Sequence, residues 1–131
     1  NLILGKSYQL DSLLDNAILS YKQVTLLGKS EFSAEAQYHI AEILLQQNKL
    51  PEAEKAGFET IKKYGSYDYW VTKSYILLGD VYAKEKDWFN AEATYKSVAE
   101  NATDASLKKE ASDKLAIATA EKAKTEKVEQ N

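Results

Sequence analysis

Apolar residues return at three- and four-residue spacing along almost the whole chain, which is the pattern of amphipathic helices. Helix-forming Ala, Leu, Lys, Glu and Gln dominate, and the alternating β-branched pattern of strands is missing. The pattern predicts helices over 2–10, 13–27, 33–47, 50–64, 69–85, 88–101 and 104 to about 122. We therefore expect an all-α fold.

The pentapeptide "LGKSY" at 4–8 returns as "LGDVY" at 78–82, and the similarity continues along the next helix, where "NAILSYKQV" at 16–24 parallels "NAEATYKSV" at 90–98. The two copies lie 74 residues apart, which places a third copy midway, with Ala41 and Ala53 at the small positions. Three helix-turn-helix copies therefore follow one another, with periods of 36 and 38 residues.

Small residues occupy the same two positions in every copy, and we expect them to let the paired helices cross closely. The first helices carry Gly5, Ala41 and Gly79, and the second helices carry Ala17, Ala53 and Ala91. In the middle copy the aromatic residue is Phe58, five residues after Ala53 rather than four. One extra residue in that helix, as a π-bulge, would explain the difference.

The copies predict one superhelical domain over residues 1–122, with units at about 1–28, 33–64 and 69–101 and a terminal helix at 104–122. Thr103 or Asp104 is the expected cap of that helix. Gly28 and Gly65 are expected helix stops, and Pro51 suits a first helical turn. Beyond residue 122 the apolar stripe fades, so 123–131 is expected to be a charged, frayed tail.

The order Leu-Gly, Tyr three residues later, Ala nine after that and Tyr four further on resembles the tetratricopeptide repeat (TPR). The resemblance covers residue 2 to about residue 120. It implies a right-handed α-solenoid that acts as a non-catalytic scaffold or adaptor. The longer period resembles TPR proteins of the bacterial cell envelope, which implies a larger bacterial multi-repeat protein with a periplasmic or envelope location rather than a cytoplasmic one.

In the TPR family the first helices line a concave groove that receives a peptide or a helix. Steps of three residues back and one forward from each small position, with one further turn, give the expected groove residues. The steps give Leu2, Lys6, Tyr38, Glu42, Ile76 and Asp80, and the further turn gives Leu45 and Lys84. The family's clamp for terminal carboxylates needs Lys and Asn here, and Glu42 and Asp80 would repel such a ligand. A protein or peptide partner of another kind is expected.

Composition excludes several classes of function. The net charge is −3 and all 17 cationic residues are lysines, so nucleic acid is not an expected partner. No run is long and apolar enough to predict a membrane span, and cysteine is absent. His39 is the only histidine and has no partner at ligand spacing, so we expect neither a metal nor another cofactor. No motif indicates an enzyme.

Two interpretations stay open for the apolar and aromatic residues. The run Tyr64, Tyr67, Tyr69 and Trp70 either anchors a partner or packs between units. The chain begins inside a helix, which is expected of a piece of a longer array, or else Leu2, Ile3 and Leu4 form an exposed apolar edge. That edge gives the alternative function, a structural spacer or a unit that associates with itself.

Overall fold

The computed structural model describes residues 1–10 and 13–130. Residues 11 and 12 of the expected domain, and the last residue of the expected tail, lie outside this part. In it the chain forms seven α-helices and no strand, so the all-α prediction is confirmed. The helices are α1 (Leu2–Leu10), α2 (Leu14–Thr25), α3 (Glu31–Gln46), α4 (Leu50–Lys63), α5 (Asp68–Lys84), α6 (Trp88–Asn101) and α7 (Ala105–Gln130).

Side-chain caps fix several of the helix starts. The Ser30 hydroxyl accepts a hydrogen bond from the Ser33 N–H at 3.1 Å, so α3 begins two residues before the predicted position. Asp104 accepts from the Leu107 N–H at 2.9 Å, which confirms it as the cap of α7. Pro51 lies in the first turn of α4, as predicted.

The turn inside each helical hairpin repeats the same hydrogen bond. Leu13, Lys49 and Asp87 each donate a backbone N–H to the carbonyl five residues earlier, at 2.8–2.9 Å. In the second and third hairpins the turn residues Asn48 and Lys86 are left-handed, with φ of 59° and 60°. This is the Schellman ending of α3 and α5, and the hydrogen bond that all three turns share makes the hairpins α1–α2, α3–α4 and α5–α6 similar to copies of one helical repeat.

The two predicted glycine stops differ in conformation. Gly28 has a φ of 106°, a left-handed conformation that glycine adopts without strain. Helix α2 has already ended at Thr25, before the two exposed leucines that precede this glycine. Gly65 follows α4, but it is not among the positive-φ residues, so it does not form a left-handed cap.

Contacts divide the chain into two units, Asn1–Ser74 and Tyr75–Asn131. In the first unit α2 packs against α1 and α3, and α3 packs against α4. In the second unit α6 packs against α7 around a buried apolar cluster. The fully or nearly buried members of this cluster are Ile76, Ala91, Tyr95, Val98, Leu107, Ala111 and Ala118.

All six predicted small packing residues are buried. However, the side chain that meets each glycine is a tyrosine rather than the alanine we expected. A Cβ added to Gly5 would lie 2.7 Å from Cε1 of Tyr21, and a Cβ added to Gly79 would lie closer still to the ring of Tyr95. The glycines therefore make room for an aromatic ring.

The middle hairpin has different residues at the two positions that Gly and Tyr occupy in the other hairpins. Gly57 is buried at the position that corresponds to Tyr21 and Tyr95, while Ala41 replaces the glycine of the first helix. The π-bulge prediction is wrong, because α4 is a regular α-helix from Leu50 to Lys63 and Phe58 is 46% exposed.

Helix α7 continues to Gln130, so the expected frayed tail is helical through that residue. Its last turns carry ion pairs at helical spacing, between Lys122 and Glu126 at 3.2 Å and between Lys124 and Glu121 at 3.2 Å. Such pairs support a helix without a buried face. The fading apolar stripe marked the end of packing and not the end of the helix.

Candidate functional site

The first unit has an open recess of about 550 Å³, called the recess below. Its lining residues come from α1, α3 and the beginning of α5, which are the first helices of the three hairpins. They are Lys6, Gln9, Leu10, Glu35, His39, Glu42, Gln46 and Trp70. All eight residues therefore belong to first helices of hairpins, and all lie within the first unit.

His39 lies at the centre of the polar wall. Its Nε2 is 3.2 Å from Oε2 of Glu35, and its Nδ1 is 3.1 Å from Oε1 of Glu42. The spacings of four and three residues put all three side chains on one face of α3. The imidazole also stacks on the ring of Tyr21 from α2, with the ring centroids 5.1 Å apart and the planes at 28°.

The same two glutamates hold α1 against α3. Nζ of Lys6 is 2.7 Å from Oε2 of Glu35, and the Gln9 amide donates to Oε1 of Glu42. Gln9 in turn accepts a hydrogen bond of 2.8 Å from the Tyr21 hydroxyl. One polar network therefore joins α1, α2 and α3 at the recess.

This network changes the acidity of its members. Burial disfavours the charged form of Glu42, but hydrogen bonds from His39 and Gln9 outweigh it, so the pKa of Glu42 lies below its usual value. Burial, together with the Glu42 and Glu35 carboxylates, raises the pKa of the Tyr21 hydroxyl far above its usual value. At neutral pH the network therefore contains a carboxylate at Glu42 and a neutral phenol at Tyr21.

Trp70 is the aromatic residue at the other side of the recess, and further rings pack around it. Trp70 meets Tyr69 edge-to-face at 4.9 Å, and its ring is 5.6 Å from that of Tyr38 and 5.9 Å from that of His39. Nζ of Lys73 lies 5.1 Å from the Tyr38 ring centroid. Of the aromatic run that the sequence singled out, Trp70 lines the recess, while Tyr64 is buried.

The second unit contains a comparable polar cluster, called the Asp80 cluster, but there a lysine of the chain itself pairs with the carboxylate, and we call this site filled in that sense. Nζ of Lys114 is 2.9 Å from both carboxylate oxygens of Asp80, and the Tyr95 hydroxyl donates to the same carboxylate at 2.6 Å. Nζ of Lys114 is also 3.2 Å from Glu110. The cluster consists of Asp80, Tyr95, Glu110 and Lys114.

Burial and the charges within the Asp80 cluster both shift the pKa values of its members. It raises the pKa of Asp80 although the Lys114 ammonium opposes the shift. For Lys114, burial favours the neutral amine, but the Asp80 and Glu110 carboxylates outweigh it and raise the pKa of the ammonium. Burial and the Asp80 carboxylate raise the pKa of the Tyr95 hydroxyl far above its usual value. Lys114 therefore stays charged beside Asp80.

The structure separates the predicted groove residues. Lys6 and Glu42 line the recess, whereas Ile76, Asp80 and Lys84 belong to the second unit. Lys84 is exposed and lies at the end of α5. Leu45 is partly buried on α3 and does not line the recess.

Tyr38 and Ile76, the expected apolar centre of the groove, are only 7% and 2% exposed. The helical geometry explains this. A residue three positions before a buried small residue is rotated by about 60° from it, whereas the residue one position after it is rotated by about 100°. Glu42 and Asp80 lie one position after Ala41 and Gly79 and are partly exposed. Tyr38 and Ile76 lie three positions before the same two residues and are buried. Tyr38 and Ile76 are core residues in this conformation.

Sequence reasoning missed Gln9, Leu10, Glu35, His39 and Gln46 as parts of the site. A signal existed for the α3 residues, because Glu35, His39 and Glu42 follow helical spacing. No comparable signal existed for Gln9, whose role depends on how α1 crosses α3.

In the described residues, no group of three His, Cys, Asp or Glu side chains could hold a metal ion. Within residues 1–10 and 13–130, no helix is both long and apolar enough to cross a membrane.

No known family model matches the chain, and no curated protein matches its sequence.

Proposed function

We propose that the chain is a non-catalytic TPR-like interaction module that binds a peptide or a helix of another protein in the recess. One observation carries the proposal, namely that every residue lining the recess comes from a first helix of a hairpin. In the TPR-like arrangement, a right-handed α-solenoid, these helices face the partner. The resemblance further suggests that the module is part of a larger bacterial multi-repeat protein of the cell envelope.

The chemistry of the recess suits a peptide better than a small metabolite. Trp70 offers an aromatic surface of the type that dominates protein-protein hot spots. The exposed Leu10 and Gln46 extend the apolar and hydrogen-bonding surface at the rim. Amide groups at Gln9 and Gln46 can both donate and accept hydrogen bonds, as a peptide backbone requires.

The test is selection of a displayed peptide library against the chain, followed by affinity measurement on variants. Leu10→Asp and Gln46→Arg change exposed residues of the recess, so the fold should persist, and circular dichroism checks this. We expect peptides that bind the recess to lose about tenfold or more in affinity with either variant, corresponding to about 1.4 kcal/mol.

Lys55→Glu is the matched control, because Lys55 is also exposed but lines a different pocket, of about 320 Å³. Affinity should be unchanged in this variant. If the recess variants bind every selected peptide as tightly as the parent chain does, the proposed function is wrong.

A second candidate function, self-association, has its own observation. Five leucines of the first hairpin, between 48% and 85% exposed, have mainly polar counterparts in the other hairpins. They are Leu10, Leu13, Leu19, Leu26 and Leu27. In the same order, their counterparts are Gln46, Lys49, Lys55, Lys62 and Lys63 in the second hairpin, and Lys84, Asp87, Ala93, Glu100 and Asn101 in the third. Exposed apolar groups of this kind often mark an interface.

Sedimentation at rising protein concentration tests this alternative. If the leucines form an interface, the parent chain dimerises and the double variant Leu26→Lys, Leu27→Glu stays monomeric, with a stability change within about 0.5 kcal/mol. A parent chain that stays monomeric throughout the concentration range excludes self-association.

A further inference from the structure

Both ring nitrogens of His39 face carboxylate oxygens, at 3.2 Å and 3.1 Å. A neutral imidazole carries one N–H, so it can donate to only one of them, and its other nitrogen would present a lone pair to the second carboxylate. Only the imidazolium form donates to Glu35 and Glu42 at the same time. The observed geometry therefore fits a protonated His39.

The oxygens that face His39 are also the ones that hold α1. Oε2 of Glu35 contacts both His39 and Lys6, and Oε1 of Glu42 contacts both His39 and Gln9. A carboxylate that turns away from a neutral imidazole must therefore change its contact with α1 as well. The proton on His39 and the junction of α1 with α3 depend on the same atoms.

We propose that His39 is a proton-dependent latch that fixes the position of α1 against α3 and thereby the shape of the recess. With the proton present, both glutamates are held and the recess has the geometry described above. Without it, one glutamate is released together with its α1 contact. Histidine is the side chain suited to such a change near neutral pH. That the latch regulates binding rests on the proposed function.

The other charged or titratable groups around His39 come from every element packed against it. They are Lys6 of α1, Tyr21 of α2, Glu35 and Glu42 of α3, and Lys73 of α5, whose charge acts on Glu42. The pKa of Glu42 is lowered and that of Tyr21 is raised, so neither group changes charge between about pH 5 and 8. Neither of these two groups therefore accounts for a change of the network in that range.

Nuclear magnetic resonance can follow this latch directly, because the chain contains one histidine. The ¹⁵N signals of the imidazole report protonation of each ring nitrogen, and the backbone amides of Lys6 and Gln9 report the position of α1. We expect these amides to shift with pH together with the imidazole signals and at the same midpoint. The amide of Lys109, on α7 in the second unit and outside the Asp80 cluster, should not follow this midpoint.

Amides of Lys6 and Gln9 that stay fixed while the imidazole titrates would overturn the latch. In His39→Gln the pH-dependent shifts of α1 should disappear. If that variant does not fold, Glu42→Gln serves instead, and it should abolish the shift at Gln9 while that at Lys6 remains.

No ligand is used in this experiment, so its result does not depend on the proposed function. Peptide binding then tests the regulatory role. A peptide selected on the recess should change its affinity by about fivefold between pH values at which the ¹⁵N signals show the imidazole protonated and neutral, as expected for one hydrogen bond, and His39→Gln should abolish the change. Coupled α1 shifts with a pH-independent affinity would overturn the regulation but leave the latch.

Discussion

Tyr21 and Tyr95 occupy the same position in two hairpins, and both rings cover a glycine of the preceding helix. Their hydroxyl groups differ in what they meet. Tyr21 donates to the neutral amide of Gln9, beside an open recess, whereas Tyr95 donates to the carboxylate of Asp80, which Lys114 already neutralises. One packing solution therefore supports two polar sites, one open and one filled from within the chain.

The lysines in the two networks also differ. Lys6 reaches Glu35 from a side chain that is 49% exposed, while Lys114 has a side chain that is 33% exposed and contacts Asp80 with two hydrogen bonds. An exposed ion pair contributes little to stability, and a partly buried one leaves a costly charge when it is broken. The filled site should thus be structural, whereas the open site can exchange its contacts with a partner.

The largest expected effect comes from filling the space that each glycine leaves for its tyrosine ring. Gly79→Leu should lower the free energy of unfolding by about 3 kcal/mol, and Gly5→Leu by somewhat less, because an added Cβ lies closer to Tyr95 than to Tyr21. Urea denaturation measures both. An unchanged midpoint for Gly79→Leu would show that the proposed packing of α5 on α6 is wrong.

A control separates the tyrosine contact from other effects of the substitution. On a Tyr95→Ala background, Gly79→Ala should stabilise the chain by about 1 kcal/mol, because alanine is the better helix former and the ring is gone. With Tyr95 present the same change should be destabilising.

The second largest effect should come from replacing a lysine, and the loss of stability should be larger at Lys114 than at Lys6. Lys114→Met should destabilise the chain by about 1–3 kcal/mol, because Asp80 keeps its partly buried charge and loses its cation. Lys6→Met should cost less than about 1 kcal/mol. Equal costs in thermal or urea unfolding would contradict the distinction between a filled and an open site. Asp80→Asn added to Lys114→Met should recover part of the loss.

The smallest effect concerns pH. Since the folded-state pKa of Glu42 is lowered, its contribution to stability is complete above the unfolded pKa and is lost as the pH falls through the folded one. Glu42→Gln should therefore cost about 0.5–1 kcal/mol at neutral pH and less at pH 3. Urea midpoints of both proteins at the two pH values measure this. A cost that stays constant with pH would mean that the carboxylate charge is unimportant.

The sequence predicted the helices well where caps and apolar spacing agree, as at Asp104 and at Pro51. It misplaced helix ends where the apolar pattern did not stop at the end of the helix. Leu26 and Leu27 extended the apparent stripe of α2 beyond its true end, and the polar end of α7 suggested fraying although ion pairs at helical spacing support it.

The site was predictable only in part. Spacing from Gly5 and Ala41 found Lys6 and Glu42, because positions next to a buried small residue follow from helical geometry alone. It could not find the role of Gln9 or Trp70, since their contacts depend on how separate helices cross. The same spacing placed Tyr38 on an open surface, although it lies within the core.

The two helices of each hairpin are matched in residue size where they cross, and this limits which helices of the chain could be combined in a new hairpin. The first and third hairpins pair Gly with Tyr at the crossing, and the middle hairpin carries Ala41 and Gly57 at the same two positions. A chimera that combined α3 with α2 would bring alanine against tyrosine, while one that combined α1 with α4 would leave a void between two glycines. Whole hairpins, rather than single helices, are therefore the parts that could be duplicated, shuffled or grafted without loss of packing.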